Sequence, residues 1–157
     1  MPDSLATYLH DHVAGSVYAL ELVENIQQQH AGKPLGQFAA NLRAEIKADR
    51  EVLEKLIART GSHSDPVKNL TAWMGEKLSR VKLKHDSDTP LGTLEALEFL
   101  ELGIHGKWAL WRALAAVART DVRLQGVDFE HLTSRAETQH SEVEERRLEA
   151  AHVAFQP

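Results

Sequence analysis

Apolar side chains spaced three and four residues apart recur in four separate stretches of this chain, and little else about it is as restrictive. That spacing lines one side of an α-helix with carbon, and the line must be covered by a partner surface. The first stripe is Leu5, Leu9, His12, Ser16, Ala19, Val23 and Ile26. The second is Leu35, Phe38, Leu42, Glu45, Asp49, Val52 and Leu56, and a shifted version through Ala39, Leu42, Ile46, Asp49, Leu53 and Leu56 still holds Asp49. The third is Leu94, Leu97, Glu101, Ile104, Trp108, Trp111 and Ala115, and the fourth is Phe129, Leu132, Ala136, His140 and Val143. Helix punctuation agrees with these stripes. Asp3 or Ser4 caps the first helix, Gly32 and Pro34 divide it from the second, and Gly61 closes the second. Thr89-Pro90 opens the third, and Asp128 caps the fourth after Gly126. No strand pattern competes. The expected fold is all-α, a single antiparallel four-helix bundle domain over residues 1–157.

The links separate two topologies. Residues 31–33 and 120–127 are short and make two helical hairpins, whereas residues 61–88 are long enough to cross the length of a bundle. Within that crossover Asp65-Pro66 starts a short extra helix to about Lys82, carrying Leu70, Trp73, Met74, Leu78 and Val81. A plain up-down-up-down bundle with an inserted helix is the alternative. Other classes are excluded by composition. Without cysteine there is no disulfide, iron–sulfur cluster or thiol chemistry. Eighteen Lys and Arg against 23 Asp and Glu, a net charge of −5, argue against nucleic acid as partner. No apolar run reaches the roughly 18 residues of a membrane span. The N-terminal residues lack the basic and apolar regions of a secretion signal, so the expected location is cytoplasmic.

Each stripe also carries polar residues. With a rise of about 1.5 Å per residue, folding back at the hairpins sets Asp49 level with Ser16, Glu45 near Leu20, His105 level with His140 and Glu101 near Glu144. A crossover then sets His105 near Ser16 and Gly106 near Gly15. His12, Glu45, Asp49, Glu101, His105, Glu137, His140 and Glu144 gather in one band. Burying so many charges costs several kcal/mol per ion unless metal, mutual pairing or water offsets it. Carboxylate and imidazole donors in a wet site suit iron or manganese.

In this arrangement the chain resembles the ferritin-like superfamily. Glu137-Thr138-Gln139-His140 matches one of the two Glu-x-x-His motifs of its di-metal members, and Glu101 matches a lone Glu, with Glu98 as a substitute. The second helix departs from the pattern: Glu45-Ile46-Lys47-Ala48 has alanine where histidine is expected, with Asp49 one position later. The resemblance implies a bundle holding one or two metal ions, iron or manganese, for storage, detoxification or oxidative stress. The implied ligands are Glu101, Glu137 and His140, completed by Asp49, Glu45 and His105. The alternative is a non-catalytic interaction bundle whose polar centre is structural and metal-free. Homodimer formation stays open, and no arrangement of catalytic residues stands out.

Overall fold

The computed structural model describes residues 3–62 and 89–157, and these form four long helices. They are α1 (Ser4–Gln29), α2 (Pro34–Arg59), α3 (Pro90–Val117) and α4 (Phe129–Ala154), with a short 3-10 turn, Val122–Leu124, before α4. No strand occurs among the described residues. The short helix expected near 66–82 lies outside them.

Helix starts are capped as the sequence suggests. The Asp3 carboxylate accepts from the Leu5 N–H at 3.0 Å, Thr89 Oγ1 from Gly92 N–H at 3.0 Å, and Asp128 from His131 N–H at 2.9 Å. Each cap satisfies a backbone donor that the helix itself leaves open. Between α1 and α2 the turn is tight enough to need a second glycine besides Gly32, which has φ +77°. A Cβ at Gly36 would meet the His30 carbonyl oxygen at 2.1 Å.

Contacts at the helix ends define the topology. Arg123 bonds Asp3 at 2.6 Å, and the Arg59 guanidinium donates to the carbonyls of Arg123 and Gln125. The start of α1, the end of α2 and the α3–α4 link therefore share one end of the bundle. At the other end the His30 ring lies 3.3 Å from Thr93 Oγ1, which joins the end of α1 to the start of α3. Hence α1 runs antiparallel to α3. The chain also changes ends between Ser62 and Thr89, as a crossing connection requires and an up-down-up-down order does not.

Two apolar clusters fill the interior. One, around Leu9, Val13, Leu53, Leu56, Trp111, Leu114 and Phe129, sits toward the α3–α4 link. The other, around Val23, Ile26, Leu42, Ile46, Leu97, Leu100 and Val143, sits toward the α1–α2 turn. Between them lie the two buried polar residues found among the described residues, Asp49 at 3% exposure and Gln139 at 0%. No described helix is long and apolar enough to cross a membrane.

Candidate functional site

The polar layer is built from one side chain per turn on three helices. On α2 the stripe Leu42, Ile46, Asp49, Leu53 and Leu56 is buried, so the shifted reading is the one adopted and Glu45 stays exposed at its edge. On α4 the buried stripe is Phe129, Leu132, Ala136, Gln139 and Val143. His140, expected to point inward, turns to a half-buried flank, because the helix presents its neighbour Gln139 instead. On α3 the buried positions Leu100, Ile104, Trp111 and Leu114 leave Lys107 on the same line, while Glu101 and Trp108 are half-buried and Ala115 is exposed.

These side chains close into a network. Lys107 Nζ donates to Asp49 Oδ2 at 2.5 Å and to Gln139 Oε1. Arg135 donates to Asp49 Oδ1 through Nε at 3.0 Å and through a second nitrogen. The Gln139 amide donates to Glu45 Oε2 at 2.7 Å. Asp49 thus meets two cations, and Gln139 uses both ends of its amide to join Lys107 to Glu45. A buried carboxylate satisfied in this way has its counter-charge supplied by the protein. A metal at Asp49 does not fit, since the ammonium and guanidinium already stand where its positive charge would act.

Burial pushes the Lys107 ammonium below its usual value, further than Asp49 draws it back up, and nearby Arg135 adds to the lowering. Since the folded-state pKa lies below the unfolded one, this cost is fully present below the folded value and fades as pH rises toward the unfolded value. Lys107→Met removes the titration. The stability of the native protein relative to Lys107→Met should therefore rise as pH climbs from neutral to about 10, read by urea unfolding at each pH. A falling difference would mean that pairing with Asp49 outweighs burial.

The remaining sequence candidates lie elsewhere, along the α3–α4 flank. His140 Nε2 is 3.1 Å from Glu101 Oε1. The other Glu101 oxygen meets Arg147 at 3.1 Å, and Arg147 also grips Glu144 at 2.6 Å. The Arg147 hydrogen bond holds the Glu144 carboxyl below its ordinary range. Exposed Glu137 accepts from the Trp108 indole N–H at 3.0 Å. The His105 ring is exposed, with its centroid 5.2 Å from that of Trp108 and 6.1 Å from that of His140. Glu101, His105, Glu137 and His140 are therefore neighbours, as their heights suggest, but Asp49 belongs to the separate buried layer and Glu45 to its exposed edge. Among the described residues no group of three or more His, Cys, Asp or Glu side chains is placed to hold a metal ion. His12 lies edge-on to the Tyr8 ring at 4.8 Å and lines the same space as Asp49 and Lys107, and burial lowers its pKa.

Three residues central to the layer, Lys107, Arg135 and Gln139, are absent from the sequence-derived set. Lys107 and Gln139 each lie on a four-three line of apolar residues, Leu100, Ile104, Lys107, Trp111 and Leu114 on α3 and Leu132, Ala136, Gln139 and Val143 on α4, whereas no such line marks Arg135.

No protein-family model matches the chain, and neither a curated protein nor a solved structure does.

Proposed function

We propose that this chain is a ferritin-like helical bundle acting as a non-catalytic binding or self-association module, with a polar centre that is structural and free of metal. The observation that carries the reading is Asp49, held between Lys107 and Arg135 at the middle of the bundle. In a di-metal bundle that level supplies ligands to metal ions. Here the protein's own cations complete the carboxylate, and Gln139 extends the hydrogen bonding to Glu45. A chain that changes ends between two antiparallel hairpins supports the ferritin-like part of the reading. Buried polar networks of this kind fix helix register, because a shift of one helix would strand each member without its partner.

Metal analysis of the purified protein, followed by thermal unfolding with and without EDTA, tests the proposal. The expected result is no stoichiometric iron or manganese and an unchanged Tm, since a ligand bound only by the folded state would raise it. A Tm increase on adding manganese or iron(II), lost in Glu101→Ala/His140→Ala, would overturn the metal-free centre. The module role predicts a concentration-dependent mass or capture of a protein partner that persists when metal is removed. Turnover of a substrate would exclude it.

A further inference from the structure

Beneath the polar layer, on the side of α1 and α3, lies a cavity of about 80 Å³. Its wall is mainly apolar, with Ala19, Leu53, Ile104 and Leu110 among its members, and its polar residues are His12, Ser16, Asp49, Arg50 and Lys107. Two features mark this space. Gly15 and Gly103 both line it, one on each helix, and both are exposed, so they stand at its mouth. Each stands in a helix interior, and a Cβ added at either meets no atom within 4 Å among the described residues. Such glycines cost about 1 kcal/mol each relative to alanine, and no described neighbour makes use of the missing Cβ. The second feature is Trp111, which also lines the cavity. It is 1% exposed, and its indole nitrogen is buried with no hydrogen-bond partner among the described residues. An unmade hydrogen bond at a buried donor is costly, so a partner for it is expected.

The chemistry of that partner follows from what the wall leaves unused. The indole nitrogen can only donate. Lys107 has three N–H donors, and Asp49 and Gln139 take two. Its third is one helical turn from Trp111 on the same side of α3. Both Asp49 oxygens already accept, from Lys107 and from Arg135. The spare groups on α3 are thus two donors. Asp49 and Glu45 balance Lys107 and Arg135 within the network, but the spare N–H of Lys107 belongs to an ammonium. A ligand with acceptor oxygens answers these two donors, a carboxylate through a charge-assisted hydrogen bond to the ammonium, and the apolar wall asks for a short alkyl tail. For size, an enclosed space of roughly 150 Å³ takes benzene, so about four or five non-hydrogen atoms suit this one.

We propose that the cavity between α1 and α3 binds a short-chain carboxylate, its oxygens taking the Trp111 indole N–H and the spare N–H of Lys107, its tail lying against Ala19, Leu53 and Ile104. Such a site goes beyond the role of the polar layer and is independent of the metal content that decides that role.

Propionate is the probe, and the indole N–H signals of the folded protein in ¹H–¹⁵N spectra are the readout, with Trp111 assigned through Trp111→Phe. The expected result is a saturable shift of the Trp111 signal with a dissociation constant on the order of 1–10 mM, as suits so small a ligand. Propionamide should bind at least about fivefold more weakly, because the charge-assisted hydrogen bonds are lost. Gly103→Leu should fill the space and abolish the shift while the protein stays folded, and Gly15→Leu does the same from α1. A propionate response no larger than that of chloride at equal ionic strength would overturn the site. So would a response that survives both leucine variants, and equal binding of propionamide would overturn its assignment to a carboxylate.

Discussion

Asp49→Ala should lower stability by about 3 kcal/mol and Tm by roughly 6–12 °C, the largest loss expected from a single polar substitution in this protein. Removing the carboxylate leaves Lys107 and Arg135 close together without the anion that separates them. Breaking one member out of a buried ion pair commonly costs about 3–5 kcal/mol. The lower end applies here, because the Lys107 and Arg135 side chains keep 15% and 23% of their exposure and water can partly replace the lost partner. The complementary variant, Asp49→Leu with Lys107→Met and Arg135→Leu, removes all three charges at once. It should recover most of the loss or exceed the native stability, since ion pairs buried in this way are often matched by apolar packing. A double-mutant cycle between Asp49→Ala and Lys107→Met should give a coupling of about 1–3 kcal/mol, as expected for groups in direct contact. Should Asp49→Ala cost less than about 0.5 kcal/mol, the level of an ordinary surface change, the network would not be what holds the helices in register.

The polar layer shows where sequence patterning was informative and where it misled. The helices were legible from caps and spacing, and the height estimate placed Gly15, Ser16, Asp49 and His105 close to where they occur. It went wrong in rotation about the helix axis. On α2 two stripes were available, one through Glu45 and one through Ile46, and both alternate strictly by three and four, so spacing alone does not choose between them. On α4 strict alternation selects Gln139 over His140, whereas on α3 the line through Glu101 and Trp108 alternates as strictly as the line through Lys107, and it is the apolar members of the second that are buried. Each rejected choice was an acid, a histidine or an aromatic ring that resembled a functional residue, whereas lysine on an apolar line reads as an interruption. Long side chains explain why lysine is tolerated there: the Lys107 stem crosses the core as hydrocarbon, and its ammonium reaches Asp49 across the bundle. The motif Glu137-Thr138-Gln139-His140 remains a real helical motif, but its inward member is Gln139. Glu137 and His140 face the α3–α4 flank, where Trp108, Glu101 and Arg147 occupy them.

Replacing Gly15, Gly103 and Gly106 together by alanine should raise stability by about 2–3 kcal/mol, with a Tm gain of roughly 4–12 °C. All three sit in helix interiors with backbone angles open to any residue, and an added Cβ meets no described atom within 4 Å. Each alanine removes conformational freedom from the unfolded chain and introduces no clash, so the three gains should add, Gly15 lying on a different helix from the other two. Chemical denaturation of the three single variants and the triple variant measures this directly. A loss at Gly106 alone would point to an element packed against that turn of α3. Losses at Gly15 and Gly103 would mean that the wall they form is already in contact with something the alanine methyl displaces. The expected gain has a functional side. Helix propensity favours alanine at all three positions, and on the proposed site the glycines at two of them keep the mouth of the space between α1 and α3 open. The triple variant should accordingly be the more stable protein and the weaker binder of propionate, and retained affinity together with a higher Tm would separate the glycines from the site.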